Sequence, residues 1–588
     1  MKTINQNLRS LSLLALLGLM PMAAHADLTW GPSGAGGAGT WNAVDTNWYD
    51  GANDVVWDST GAVFGGAAGV VSVTGTQNAT GLNFTTAGYT LQGAGTINLT
   101  GTPTISGTQT LINTLLSGSS GVTITGSSKN IGGNNTGLTG VVTIDGTSST
   151  ATVRAFNSNS LGSSAAVGDK IQITNGGAGA ILQLSTGVIL PKYITTTGTA
   201  TIESVGNSSL TGSIVAGGSL IYQLNLGTTL TLSGSAGLGA TGQNIFAGST
   251  GRLIVDTTAA GATVYALFIR DSATVQVNSG ATLGAANIFL AGAFFGDGTS
   301  PVLALNDVTV SNNLFLDAAP ISPRIENMAA GTSTISGQIF AGGVGNYIVN
   351  LRSTTSGTLN VAGLIRDNGA VEIGNASFAN SGVVNFSRAA GNTYDGGTTV
   401  NSGTLLVNNS SGSATGTGAV TVASGATLGG SGSISGATTI NGILAPGNSI
   451  GILTVANDVT WNGAALASAA TDWKFELGAA NTADLLNITG GTSDFLEGSG
   501  SAFRFDFQGS TSLGTFVLVD WDGTTTFSNT DFSFTNLGAG NTGTFAFNGS
   551  QLEFTAVVPE PSSFALLLAA AIGGVVLSRK RRTKSLAV

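Results

Sequence analysis

Val275-Gln276-Val277-Asn278-Ser279-Gly280-Ala281-Thr282-Leu283-Gly284 returns as Val420-Thr421-Val422-Ala423-Ser424-Gly425-Ala426-Thr427-Leu428-Gly429, and part of it again as Thr399-Val400-Asn401-Ser402-Gly403-Thr404-Leu405. Each copy alternates apolar and polar residues, meets a Ser-Gly pair, then alternates again. That is a strand, a tight turn and a second strand. Turns at Ser402-Gly403, Ser424-Gly425 and Asn441-Gly442 fall 22 and 17 residues apart. A strand-and-turn unit near twenty residues cannot bury its apolar face alone, but a stack of such units can, so the pattern predicts a β-solenoid.

The same texture extends in both directions. Val70-Val71-Ser72-Val73-Thr74, Thr96-Ile97-Asn98-Leu99-Thr100 and Leu230-Thr231-Leu232 before Ser233-Gly234 are further short alternating runs. No stretch of a dozen residues in this body carries a helical period, so the fold is all-β. Residues 70–470 as solenoid give roughly 20 coils and, at about 4.8 Å between stacked strands, a rod on the order of 100 Å.

Composition excludes several function classes. The 588 residues include 90 glycines, no cysteine and one histidine, His25. Without cysteine there is no disulfide frame. With its histidine confined to the extreme N-terminus, the body has no Cys/His zinc site, no Ser-His-Asp triad and no thiol nucleophile. The body holds 12 of the 19 basic residues against all 29 acidic ones, a net charge near −17. Nucleic acid is therefore a poor partner.

Both ends read as export signals. Lys2 and Arg9, the apolar run Leu11–Met20, Pro21 and the small-x-small site Ala24-His25-Ala26 form a secretory signal peptide over 1–26. At the other end, Pro559-Glu560-Pro561 precedes an apolar run from Phe564 to Leu577 and the basic cluster Arg579-Lys580-Arg581-Arg582. As a helix, 562–578 would reach roughly 25 Å, the lower limit for crossing a bilayer. Positive charge stays cytoplasmic, so one C-terminal transmembrane helix would leave the body on the exported side of the inner membrane.

This tail, 558–588, resembles a PEP-CTERM sorting signal. The resemblance implies recognition by an exosortase in a Gram-negative cell, processing near Pro559-Glu560-Pro561, and release to the surface or an extracellular matrix. A second resemblance lies in Asn392-Thr393-Tyr394-Asp395-Gly396-Gly397-Thr398-Thr399-Val400 and Leu444-Ala445-Pro446-Gly447-Asn448-Ser449. Both are similar to autotransporter-associated β-strand repeats, which implies a right-handed parallel β-helix. About 118 residues follow Ala470, too few for a translocator barrel of twelve strands at about ten residues each. The expected route outward is therefore a different one.

Two flanking segments differ from the repeats. Trp30, Trp41, Trp48 and Trp57 are four of seven tryptophans. They predict an aromatic plug over the first coil within a cap at 27–69, because a solenoid end is an open edge. The alternative is that Trp41, Trp48 and Trp57 stack on sugar rings of an extracellular polysaccharide. Over 471–557, Trp473-Lys474-Phe475-Glu476 and Phe503-Arg504-Phe505-Asp506-Phe507 predict half-exposed antiparallel strands in a small C-terminal β module.

Motif matches carry little chemistry. Gly447-Asn448-Ser449-Ile450-Gly451 fits G-x-S-x-G but lacks a histidine and a following helix, so it reads as a solenoid turn. Gly237-Leu238-Gly239-Ala240-Thr241-Gly242 lacks the βαβ context of a dinucleotide site. Asp520-Trp521-Asp522-Gly523 and Asp45-Thr46-Asn47 with Asp50-Gly51 read as turn aspartates rather than calcium loops. Carboxylate catalysis would need acids such as Asp256 with Asp271, or Asp297 with Asp307, to meet across coils. The expectation is a structural or adhesive surface protein, not an enzyme, with no cofactor or metal. The rival readings are a polysaccharide-active β-helix enzyme and a glycan-binding module.

Overall fold

The structure, a computed structural model, describes residues 26–239, 244–258, 265–284, 287–291, 300–317, 323–342 and 347–559. Short parallel strands wind into a solenoid with three faces. Ala200–Ser204 lies on one face, Ser208–Leu210 on the next and Ile214–Ala216 on the third. The chain then returns as Leu220–Leu224, paired in register with the coil beneath through Ala200↔Leu220 and Ser204↔Leu224. The twenty-residue offset is the unit read from the sequence.

Three ladders result. One has fifteen strands, a second fourteen, and a third divides into a twelve-stranded N-terminal and a seven-stranded C-terminal sheet. The fifteen-strand ladder starts near the N-terminus. The fourteen-strand ladder begins at Ile189–Leu190 and continues past the end of the first, to Phe495–Glu497. Stacked at about 4.8 Å, the two together give a rod on the order of 100 Å.

The repeats that open the sequence occupy equivalent places. Thr274–Asn278, Thr398–Val400 and Val420–Val422 all lie in the fourteen-strand ladder. The glycine after each, Gly280, Gly403 and Gly425, has φ of 76°, 67° and 81°. Only glycine enters that left-handed region without strain. The Ser-Gly pair is thus the corner that sends the chain to the next face.

The core lies between the three sheets. Leu210, Leu232, Val255, Val277 and Leu305 stack in register, one per coil, and each is buried. Burying each contributes about 1.5–3 kcal/mol. The column then turns polar at Asn327 and Ser353, both fully buried. Asn327 Nδ2 donates to Ser353 Oγ at 3.1 Å and to the Ala329 carbonyl at 2.9 Å, which meets the requirement for burying an amide.

The N-terminal plug forms as an end cover. Trp41 and Trp48 are completely buried and Trp57 is 6% exposed. Their ring centroids lie 4.4–5.0 Å apart, and Phe64 packs beneath Trp48. Leu28–Trp30 closes the ladder onto Gly61–Phe64 and is covered by the two-residue strands Trp48–Tyr49 and Asp54–Val55, paired antiparallel. The sugar-stacking expectation for Trp41, Trp48 and Trp57 is corrected here, since their faces are spent on one another and on Phe64.

The C-terminal segment also differs from expectation. Trp473–Lys474, Phe503–Asp506 and Phe532–Thr535 pair parallel, through Trp473↔Phe505 and Phe503↔Phe532. Coil stacking therefore continues through this segment, with aromatics replacing aliphatics inside. The alternation belongs to strands with one face on a solenoid core. Antiparallel strand ladders enter at the end, where Gln551–Val557 inserts between Gly514–Trp521 and Thr542–Asn548. Among the described residues, no helix is long and apolar enough to cross a membrane. The expected span Phe564–Leu577 lies outside them.

Candidate functional surface

Outward-facing residues form rows along the rod, because each coil places equivalent side chains about 4.8 Å above the last. Thr399, Thr421, Thr439 and Thr460 make one row of hydroxyls. A second row consists of amides. Asn385 Nδ2 donates to Asn360 Oδ1 at 3.0 Å, Asn408 Nδ2 to Asn385 Oδ1 at 2.8 Å, and Asn448 Nδ2 to Asn408 Oδ1 at 3.0 Å. Each amide orients the next, so the row presents a fixed polar pattern.

A third row is aromatic. Phe246, Phe268, Phe289, Phe315 and Phe340 are half-buried on the outer side of the fifteen-strand ladder. Neighbouring rings stack with centroids 4.3–5.0 Å apart. Arg270 lies 4.3 Å from the Phe246 centroid and Arg366 5.2 Å from that of Phe340, so a guanidinium flanks the row at each end. Sequence reasoning missed this row. Its signal was present: phenylalanines recur at 246, 268, 289, 315 and 340, near the coil period, at polar rather than apolar positions of the alternation.

On the adjoining face, the Arg324 guanidinium lies 3.8 Å from the Phe378 centroid, and Arg352 Nη2 pairs with Glu326 Oε2 at 2.5 Å. Glu326 is nearly buried, so this pair holds two neighbouring coils together more than it offers charge to solvent.

One shallow groove of about 300 Å³ lies near the C-terminal end, among Thr427, Pro446, Ser449, Lys474, Glu476 and Asp484. Asp484 is 3% exposed. Its carboxylate accepts from the Gly451 amide at 2.9 Å and the Glu476 amide at 2.8 Å. Burial pushes its pKa up to about 6, against the pull of those two donors. One oxygen holds the Gly451 amide of the 447–451 turn and the other the Glu476 amide, so Asp484 is an anchor that ties the turn to the segment after Trp473–Lys474. The same turn disposes of the G-x-S-x-G match: Gly447 has φ 83° and the chain goes from strand to bend to strand without a helix.

The other sequence-predicted positions fall as follows. Ala26 and Pro559 are exposed and outside regular structure. Ala24, Glu560, Pro561 and the cluster Arg579, Lys580, Arg581 and Arg582 lie outside the described residues. Asp256 and Asp271 do not meet. Val255 pairs with Val277, which puts Asp256 at the far end of its strand, whereas Asp271 precedes the strand Thr274–Asn278 and accepts from the Ser249 amide at 3.0 Å. Asp307 stands at a corner with φ 50°, and Asp297 is outside the described residues. Asp50 accepts from the Ala52 and Asn53 amides, as turn aspartates do, whereas Asp522 accepts from the Gly490 and Gly491 amides of the neighbouring coil at 3.0 Å each. Among the described residues, no group of three or more His, Cys, Asp or Glu side chains is placed to hold a metal ion.

A rod with patterned rows along its described surface can now be set beside known proteins. Over 485 residues the chain is 29% identical to the adhesin BmaC autotransporter of Brucella suis biovar 1 (strain 1330). That relative is an autotransporter adhesin. The alignment takes in 71% of this chain but 13% of the relative, so the chain spans a small part of that protein's length. No family model matches the chain.

Proposed function

We propose that this chain is an exported adhesive or structural rod of the cell surface or extracellular matrix. The observation that carries the reading is the parallel ladder with ordered rows of Thr, Asn and Phe on its outside, a geometry suited to repeated weak contacts along a polymer or a neighbouring cell. The similarity to an autotransporter adhesin supports it. We read the coil as right-handed, the hand that parallel strand crossovers overwhelmingly take. An extracellular polysaccharide is the favoured partner. Nucleic acid is disfavoured by a body net charge near −17.

Sorting is assigned to the two ends. A signal peptide cut after Ala26 would start export. The tail, with Pro559, Glu560 and Pro561 ahead of an apolar segment and the basic stop Arg579–Arg582, would hold the body outside the inner membrane until an exosortase processes it. The resemblance of the tail supports this assignment.

The test compares cells producing the full chain with cells producing a chain that ends at Val557. Antibody to the body should label intact cells or the surrounding matrix in the first case, and attachment to polysaccharide-coated surfaces should depend on it. Equal surface labelling without the tail would refute the sorting assignment. Surface labelling with no gain in attachment would refute the adhesive one.

A further inference from the structure

The two ends of the rod are finished differently. At the N-terminal end the outermost strand is Asp54–Val55, two residues long and bearing a charge. Such edges resist pairing. At the C-terminal end the outermost strand is Thr542–Asn548, seven residues, Thr-Gly-Thr-Phe-Ala-Phe-Asn. It has no charge, no proline and no bulge. Its register with Gln551–Val557 runs unbroken from Thr542↔Val557 to Asn548↔Gln551. Every residue along it is exposed or half-exposed. Among the described residues, the polar contact made to its backbone from outside its partner strand is a long one, from Asn529 Nδ2 to the Phe545 carbonyl at 3.4 Å.

We propose that this edge pairs antiparallel with the same strand of a second copy, joining two rods tail to tail. The strand is complementary to itself. Pairing about Phe545 sets Phe545 against Phe545 of the second copy, Gly543 against Phe547, and Thr544 against Ala546. The chain's own Phe554 ring already covers Gly543, 2.3 Å from where a Cβ would stand, and Phe547 of the second copy would lie beside that ring. Phe545 and Phe547 already pack inward, at 4.9 Å from Phe554 and 5.6 Å from Trp521 between centroids. Pairing would carry that aromatic layer across the junction.

Charge selects the occupant. Two copies of a body near −17 repel over most of their surface. This edge opposes no carboxylate to another, and Glu553 on the next strand is held by Asn548 Nδ2 at 2.8 Å. A two-fold axis through Phe545 closes the contact, so it yields a dimer and not a filament. The inference is independent of the adhesive reading.

The experiment uses the chain recovered from membranes in mild detergent and from culture fluid. Sedimentation at micromolar concentration should give twice the monomer mass in both. The chain has no cysteine, so T544C/A546C should form intermolecular disulfides on oxidation. T544K, which puts a charge on the exposed face of the edge, should weaken the dimer by roughly tenfold or more. If T544K does not fold, N548K at the end of the strand serves in its place. A monomer in both preparations overturns the proposal. So does a dimer that T544K leaves intact, or one that T544C/A546C does not cross-link, since the contact would then lie elsewhere. A cross-link that forms only after residues beyond Pro559 are removed also overturns it, assigning the edge to the chain's own tail.

Discussion

Substituting the corner glycines tests the shared turn geometry residue by residue. Gly425 has φ 81°, and a Cβ built there meets no described atom within 4 Å. Gly425→Ala therefore costs backbone strain alone, about 1–2 kcal/mol for an L-residue held in the left-handed region. Gly403 has φ 67°, but its Cβ would lie 2.4 Å from Asn380 Nδ2 and 2.8 Å from the carbonyls of Asn380 and Gly382. Asn380 is buried and donates to the Gly382 carbonyl at 3.0 Å, so it has no room to yield. Gly403→Ala adds an overpacking cost to the strain, for a total of about 3–5 kcal/mol. Gly425→Asn, which tolerates positive φ, should cost less than about 1 kcal/mol. Hydrogen exchange read by mass spectrometry reports local opening in such a stack. Protection of Val420–Val422 and Thr427–Gly430 should fall roughly 5- to 30-fold in G425A and hardly at all in G425N, since 1.4 kcal/mol is about tenfold. Protection around Thr398–Val407 should be lost far more completely in G403A. Unchanged protection in G425A, or G403A no worse than G425A, would refute the argument that the repeated Ser-Gly pair is a left-handed corner.

Three further outcomes follow from the described contacts. Trp48→Ala should destabilise the first coils by about 3–5 kcal/mol, seen as proteolytic sensitivity of residues 28–64 with later coils intact; an unaltered N-terminal end would contradict the plug. Arg504 holds the nearly buried Asp472 through Nε–Oδ1 at 3.0 Å and Nη2–Oδ2 at 2.7 Å. R504M should cost about 2–4 kcal/mol by stranding a buried carboxylate, and D472N should recover part of it; a double-mutant cycle with no coupling counts against the pair. Asp484 has its folded pKa raised to about 6 from the usual 3.8. The folded state then binds more protons between those values, so stability at the 447–488 region should rise as pH falls from about 7 to 4, by up to roughly 3 kcal/mol. D484N should flatten that slope, and an identical pH profile in D484N and the parent chain would contradict it.

The solenoid was legible because period-two strands and αL corners are local, and the repeat at 275–284 and 420–429 marks the same corner twice. The Trp plug was legible for a different reason: an open ladder end requires a cover, and four tryptophans stood where the ladder begins. Strand direction in 471–557 was not legible. Alternation specifies which face is buried but not whether the neighbour runs parallel, and Phe503-Arg504-Phe505 satisfies either arrangement. The Phe246–Phe340 row was overlooked because its members sit at outward positions, where a search for core periodicity does not look. The separation of Asp256 from Asp271 depends on strand register, which sequence spacing alone does not set.

Electron cryomicroscopy of the chain released from cells tests the central claim most directly. The account predicts a rod on the order of 100 Å per chain, with three parallel sheets, rungs about 4.8 Å apart, a right-handed coil, tryptophans closing one end and three antiparallel strands at the other. A compact particle without that rung spacing, or a sheet in which consecutive coils run antiparallel, would contradict it.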